Sequence, residues 1–376
     1  MRILQINKYY PPLIGGVESV VRDLSESLAA DGWEVTTLIC QAKTGVATTD
    51  EMFPHLHIHR SRTQLILFRL PLSFDFFRAF RREAKDTDII LLHHPFPLGF
   101  LAYAFFGLKK PLAVFYHSDI VKQKFLAHIL QPLTNHILSR ARTIFVTSKR
   151  LQTHSPVLSN VQQSCIVVPL WIHAKNIELS IKQQEHSQMP RNVYTHPLLL
   201  AVGRLVYYKG YSVLLDAMKN VRASLLIVGE GPDRHDLQGQ IHQNQLADRV
   251  TIIPPVSDLI PYFHAADLFV FPSIQSSEAF GIVQLEAMAC GLPVINTDLP
   301  TGVPEVSLDH VTGITVKPND PLVLANAINE LLTNTSLRNT YAAQAKKRSK
   351  KFEASKIIPI ISRRLNHIVT AQKKRS

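Results

Sequence analysis

Two glutamates, Glu278 and Glu286, stand eight residues apart around the step Ala279-Phe280-Gly281-Ile282. A carboxylate accepts hydrogen bonds from hydroxyls. A glycine lets backbone approach a ligand with no side chain between them. The apolar run after Gly281, ended by Gly291, predicts a short helix whose N-terminus offers free N–H groups and a positive dipole end to an anion. Glu286 lies more than one turn along that helix, outside the anion site, where it can accept from the hydroxyls of a neighbouring polyol. The chemistry implied is recognition of a molecule with both phosphate and polyol parts. Chance spacing of two glutamates is the alternative; their place at the carboxyl end of a predicted strand, Asp267–Ser273, is where open α/β sheets bind ligands.

Four other clusters follow predicted strands. Gly203-Arg204-Leu205-Val206-Tyr207-Tyr208-Lys209-Gly210 is a compact cationic loop; the Arg204 guanidinium can grip two phosphate oxygens and the Lys209 ammonium a third. A surface charge pair is the competing reading. His117-Ser118-Asp119 offers a neutral imidazole for a sugar hydroxyl or carbonyl, or a structural histidine. Gly15-Gly16 opens a helix near Tyr9–Pro12 and admits a phosphate or sugar to backbone, or is a plain tight connection. Gly229-Glu230-Gly231-Pro232 and Pro255-Val256-Ser257-Asp258 can frame a nucleoside.

The elements that must position these residues alternate. Strands are expected at Arg2–Asn7, Trp33–Cys40, His57–Arg60, Asp88–Leu92, Leu112–Tyr116, Thr143–Thr147 and Cys165–Val168. The pattern restarts at Leu198–Val202, Leu225–Val228, Val250–Ile253, Leu268–Phe271, Val294–Asn296 and Gly313–Val316. Helical apolar spacing from Gly16 to Ala30, stopped by Gly32, separates the first two. Strands alternating with helices imply parallel sheets of βαβ units. Two doubly wound halves facing a shared cleft, residues 1–173 and 197–355, are expected, joined by a polar linker at 174–196. Residues 356–376 are expected to form a basic helix and tail that packs back on the first half.

The chain has 376 residues, 46% hydrophobic and 19% charged, enough for two cores. Three cysteines without metal spacing are ordinary thiols of a reducing compartment. Net charge is +7 over residues 1–190, −5 over 191–345 and +10 over the last 31 residues. Ile89–Leu108 is uncharged, but its histidines, prolines and glycine suit a strand–loop–helix better than a membrane span. With no cleavable leader read at the start, the expected location is cytoplasmic. Peripheral attachment to an anionic membrane is expected through an amphipathic helix after Pro71 (Phe74, Phe76, Phe77, Phe80 with Arg78, Arg81, Arg82) and the basic tail. Arg60, Arg62, Leu67, Phe68, Arg69, Leu70 and Lys85 extend that mixed segment; a helix with its aromatics in the core is the alternative. No nucleic acid partner is expected.

In order, the Gly-Gly, His-Ser-Asp, G-R-L-x-x-x-K-G, V-G-x-G-P and E-A-F-G-x-x-x-x-E-A-M-A-x-G-x-P-V segments resemble glycosyltransferase family 4, retaining transferases of the GT-B fold. The likeness spans essentially the whole chain and is most specific at Glu278–Val294. The run from Tyr116 to Lys124 looks most like bacterial O-antigen mannosyltransferases that use GDP-mannose. The resemblance implies a nucleotide-sugar donor, a lipid-linked saccharide acceptor, and no metal or other cofactor. It implies that Gly16 approaches the donor, His117 contacts the transferred sugar, and Arg204 and Lys209 bind the diphosphate. Val256 would lie by the base. Glu278 with Ala279, Phe280, Gly281 and Ile282 would hold sugar and phosphate, and Glu286 the ribose. Pro254-Pro255-Val256 departs from the family's usual glycine before the base contact. Other donors of the same fold (UDP-glucose, UDP-N-acetylglucosamine, GDP-rhamnose) stay open. A metal-dependent transferase would use Asp86-Thr87-Asp88, which precedes a strand instead of following one. A nucleotide-dependent oxidoreductase would need the G-x-G-x-x-G fingerprint that the first helix lacks.

Overall fold

The computed structural model describes all residues except Ile14, 68–69, 108, 121–123, 175–176, 178–194, 196 and 375–376. Most of the expected linker, together with Phe68, Arg69, Arg375 and the Val121-Lys122-Gln123 part of the mannosyltransferase-like run, therefore lies outside the described residues. The chain divides into two compact units: residues 1–169 with 357–376, and residues 170–356.

In the first unit, apolar runs buried on both faces form most of a sheet, with the polar strand Thr49–Phe53 at one edge. Its strands are β1 (Arg2–Ile6), β2 (Glu34–Thr44), β3 (Thr49–Phe53), β4 (Leu56–Thr63), β7 (Ile89–His94), β8 (Leu112–Tyr116), β9 (Thr143–Val146) and β10 (Cys165–Val167). Their order is β10-β9-β8-β7-β1-β2-β4-β3. All pairings are parallel except β3 with β4. Strand order reverses between β1 and β7, so the loops after those two strands open a crevice at a topological switch point. A small hairpin, β5 (Leu65–Leu67) with β6 (Leu70–Leu72), precedes helix α2 (Phe74–Asp86). Helix α1 (Gly16–Ala30) ends where Gly32 takes φ +79° and Trp33 N–H donates to the Leu28 carbonyl, a left-handed stop that glycine makes without steric cost.

The expected membrane face of α2 is corrected. Phe76 and Phe80 are fully buried in the core with Leu4, Leu38 and Ile90, and Phe77 packs edge-on to Phe106. The amphipathic stripe faces the sheet, as for any surface helix covering a core. Arg78, Arg81, Arg82 and Lys85 remain on the exposed side. The Asp88 carboxylate, half of the Asp86–Asp88 alternative, accepts from the Arg2 N–H at 2.9 Å and pairs with Lys373 at 3.4 Å. No described helix is long and apolar enough to cross a membrane.

The second unit holds β11 (Leu198–Val202), β12 (Ser224–Val228), β13 (Val250–Ile253), β14 (Leu268–Val270), β15 (Val294–Thr297) and β16 (Gly313–Val316), ordered β13-β12-β11-β14-β15-β16 and parallel throughout. Here the reversal falls between β11 and β14. The loops that follow them, 203–210 and 271–281, contain the cationic cluster and the first glutamate.

Candidate active site

The β11/β14 switch point is built from loops that touch through their glycines. Gly210 holds φ +71°, and a Cβ there would collide with the Pro272 carbonyl oxygen. A Cβ on Gly229 would strike the Gly203 carbonyl, and one on Gly231 the Leu205 carbonyl. Gly281 (φ +79°) sits against Phe271, whose ring would lie 2.7 Å from any added Cβ. The loops after β11, β12 and β14 thus meet backbone to backbone, at spacings only glycine permits.

Inside this frame Lys209 Nζ pairs with Glu278 Oε2 at 2.5 Å and lies 4.8 Å from the centre of the Phe271 ring. Ser273 Oγ donates to the same carboxylate oxygen at 3.3 Å. A largely buried ion pair adds little to stability, because desolvation offsets the attraction; its worth lies in holding two opposite charges ready beside a ligand site. Arg204, on the same loop as Lys209, is exposed and makes no ion pair among the described residues. Tyr207 Oη donates to Gln275 Oε1 at 2.7 Å, joining the cationic loop to the one that carries Glu278.

Left-handed Gly281 caps the helix Ile282–Ala289, with no side chain capping its first N–H groups. The helix stops at Gly291 (φ +83°). Beneath it runs a buried amide network that sequence reasoning missed. Gln284 Nε2 donates to the Phe280 carbonyl at 3.1 Å, while its Oε1 accepts from Asn296 Nδ2 at 3.0 Å. Asn296 Nδ2 also donates to the Val303 carbonyl at 3.0 Å, and its Oδ1 accepts from Thr315 Oγ1 at 2.7 Å. Each polar atom so satisfied fixes the pitch of the helix start. The one available signal was a glutamine in the middle of an otherwise apolar helix face.

Glu286 is half-buried, and its carboxyl is pushed up to about 7 by burial. Ala279 accepts from the Gly302 N–H through its carbonyl at 2.8 Å, and Phe280 packs edge-on against Phe352. Val256 follows β13, the outermost strand, so β12 stands between it and β11. The structure therefore brings Arg204, Lys209, Glu278, Gly281 and Ile282 to one switch point and sets Val256 to one side.

The first unit's switch point has a different chemistry. His93 and His94 end β7, directly opposite Phe115 and Tyr116 of β8. His117 follows; its Nε2 lies 2.9 Å from His93 Nδ1, and its ring stacks on Phe115 at 4.5 Å. His94 stacks on Tyr116 at 4.3 Å. All three are buried, and His117 Nδ1, His93 Nε2 and His94 Nδ1 have no hydrogen-bond partner among the described residues. Burial pushes His93 and His94 down to about 3, and His117 well below the ordinary imidazole range, with the neighbouring histidines adding to it. The three rings are neutral at physiological pH. Asp119 is already taken: it accepts from Tyr116 Oη at 2.5 Å and Ser155 Oγ at 2.6 Å. Gly16 is exposed at the first turn of α1. His93 was missed as a site residue; a histidine pair at the end of a buried parallel strand was its signal.

Residues 14–169 match the family model Glycosyltransferase Family 4, and residues 182–348 match glycosyl transferases group 1. The chain is 32% identical to O-antigen chain mannosyltransferase C of Escherichia coli, over 93% of each chain. It is 30% identical to the D-rhamnosyltransferase WbpZ of Pseudomonas aeruginosa, over 88% of this chain and 86% of that one. Among solved structures, sucrose-phosphate synthase of Thermosynechococcus elongatus superposes with a TM-score of 0.82 at 23% identity, covering 98% of this chain and 99% of that one. Anabaena HepE in complex with UDP follows at 0.77 and 21%, covering 98% and 100%.

Proposed function

Since this chain belongs to the glycosyltransferases, its two halves matching family 4 and group 1, we propose that it transfers a hexose, mannose from GDP-mannose, to a lipid-linked saccharide. The product would be a bacterial surface polysaccharide of the O-antigen kind, with the anomeric configuration retained. The observation that carries this reading is the Lys209–Glu278 pair beside exposed Arg204 and the helix at Gly281 that no side chain caps. A diphosphate entering there would take Lys209 from Glu278 and bridge it to Arg204 and the helix N–H groups. Glu278, released, would accept from hydroxyls of the hexose. As the bond to the sugar breaks, negative charge grows on the leaving diphosphate, where Arg204, Lys209 and the helix dipole hold fixed positive potential. The acceptor's proton passes to the departing phosphate in a front-face reaction, so Glu278 is no covalent nucleophile and no metal is needed.

Ala279, Phe280 and Ile282 contribute backbone to this grip, Glu286 meets the ribose, and Val256 the base. In the first unit, neutral His117 keeps the role of a sugar contact and Gly16 that of a backbone contact to the donor. The name of the Escherichia coli relative supports the mannose reading and the O-antigen setting, whereas the Pseudomonas aeruginosa relative, named a D-rhamnosyltransferase, keeps GDP-rhamnose as a rival donor; the UDP complex of HepE makes UDP sugars a further donor class to try. Membership in the transferases removes the oxidoreductase alternative.

For the acceptor, we assign a membrane-facing surface on the first unit that replaces the corrected helix face. Leu65, Ile66, Leu67 and Leu72 of the β5–β6 hairpin are exposed, with Phe74 (74% exposed) and Phe105 (71%). Basic Arg78, Arg81 and Arg82 lie on the same helix as Phe74, and the Arg81 guanidinium sits 5.9 Å over the Phe106 ring. Apolar tips with basic neighbours suit an anionic bilayer surface, at the inner face of the cytoplasmic membrane.

The test is thermal shift against GDP, UDP, ADP and their sugars, because a ligand that binds the folded state raises its stability. NMR of the product's anomeric centre then reports retention. GDP and GDP-mannose should stabilise most. Stabilisation by no nucleotide, or an inverted product, overturns the reading. Sedimentation with anionic vesicles at low and high salt tests the surface; a wild-type protein left in the supernatant at low salt removes it.

A further inference from the structure

Away from both switch points, at the free edge of the first unit's sheet, three side chains converge in a way transfer does not use. The segment His55-Leu56-His57-Ile58-His59 runs into β4, and alternation along a strand puts His57 and His59 on one face. Antiparallel β3 brings Asp50 directly opposite His59. His57 Nε2 lies 2.6 Å and His59 Nδ1 2.7 Å from the same oxygen, Asp50 Oδ1. All three donor atoms fall within 4.8 Å of one another. The His59 side chain is buried (6% exposed), whereas Asp50 is open to solvent (49%).

We propose that Asp50, His57 and His59 bind a divalent transition-metal ion, with water completing a four-coordinate shell. Two imidazoles and one carboxylate are a zinc-type donor set, and nitrogen donors discriminate against magnesium and calcium. At metal–nitrogen and metal–oxygen distances of about 2.1 Å, tetrahedral donors stand roughly 3.4 Å apart. Asp50 need only withdraw by under about 1 Å from its present contacts, a motion open to a half-exposed side chain. The two histidines are held by strand backbone, so the ion adds a cross-link between β3 and β4. That cross-link has a use: among the described residues β3 pairs with β4 alone and is otherwise mostly exposed, and an unprotected edge strand invites pairing with other chains. The competing arrangement is a hydrogen-bonded clasp in which both rings donate to Asp50 and no ion is held.

The inference is independent of the transfer reaction and is read without it. The full-length protein, stripped with EDTA and dialysed, is titrated with Co2+ while the visible d–d absorption is recorded, and separately melted with and without Zn2+. One Co2+ per chain with an intense tetrahedral band, and a melting temperature raised by micromolar Zn2+, are expected. Asp50→Asn and His57→Gln, both at accessible positions, should abolish the band and the Zn2+ shift, while His55→Gln leaves both in place. Sugar transfer should be equal in the stripped and loaded protein. A chain that shows no band and no shift with Co2+, Zn2+ or Ni2+ holds only the clasp, and the proposal falls. Binding that survives Asp50→Asn and His57→Gln lies elsewhere, and overturns it equally.

Discussion

The two units reverse their strand order at equivalent points yet fill those points with opposite chemistry. At β11/β14 stand a lysine, an arginine and a glutamate, with a helix N-terminus that no side chain caps. At the end of β7 and just after neighbouring β8 stand three buried imidazoles stacked on Phe115 and Tyr116, held neutral by their surroundings. A doubly wound sheet supplies a crevice in either case; charge decides what the crevice can stabilise. Fixed cations suit a departing diphosphate, while neutral rings can hydrogen-bond a sugar without attracting a competing anion.

The largest test removes the cations. Lys209→Ala or Arg204→Ala should lower kcat by about a hundredfold to a thousandfold, about 3–4 kcal/mol of barrier, with circular dichroism unchanged. Near-normal initial rates in either variant would dissolve the contrast. Next comes the glycine frame: Gly210→Ala must hold φ +71° and push against the Pro272 carbonyl. Urea denaturation should show a loss of about 2–4 kcal/mol, and an unchanged midpoint would mean the loops are not locked.

The neutral histidines give an acid-side test. Their folded-state proton affinity lies below the unfolded value, so the unfolded chain binds more protons between roughly pH 6.5 and pH 3, and stability falls as pH drops through that window. His94→Phe keeps the stacking and removes one such proton, worth about 2 kcal/mol at pH 5; its acid-unfolding midpoint should move to lower pH. Glu286 runs the other way. With its carboxyl raised to about 7, the folded state keeps a proton that the unfolded chain has lost above about pH 4.3. Its contribution to stability is therefore greatest below that value and declines as pH rises to 7. Calorimetry of GDP binding should show affinity rising by up to about tenfold from pH 6 to pH 8 as the carboxylate forms, and Glu286→Gln should lose that component. A slope identical in the variant would separate Glu286 from the ribose. The smallest expected effect is none: transfer should persist in EDTA, and activity restored only by magnesium or manganese would move the chemistry away from Arg204 and Lys209.

Parallel, doubly buried strands were legible because their apolar runs and glycine stops have a local cause; Gly32 and Gly291 take the left-handed conformations their positions imply. Strand β3 was not, since Thr49–Phe53 is mostly exposed and polar and owes its form to pairing with β4. The short β5–β6 hairpin escaped for a similar reason. The direction of Phe76 and Phe80 was left open by the sequence, because an apolar stripe with flanking arginines suits a core and a bilayer alike; only packing decides. Around the site, residue types announced Arg204, Lys209 and Glu278, but no spacing rule reveals that Lys209 and Glu278 pair. Nor does one reveal that His93 supports His117, because those contacts are made between strands.

The crossings at Gly203, Gly210, Gly229 and Gly231 carry a consequence for anyone wishing to change the donor. The loop after β12 rests on carbonyls of the loop after β11, which in turn rests on the Pro272 carbonyl and accepts from the Ile274 N–H, so none of the three can be lengthened, randomised or exchanged while its neighbours stay as they are. Grafting from a transferase with a different sugar would have to move residues 203–210, 229–231 and 271–281 as one cassette. Piecemeal libraries across these positions should return mostly misfolded chains, and altered donor preference is to be sought first at Val256, whose loop lies outside that lock.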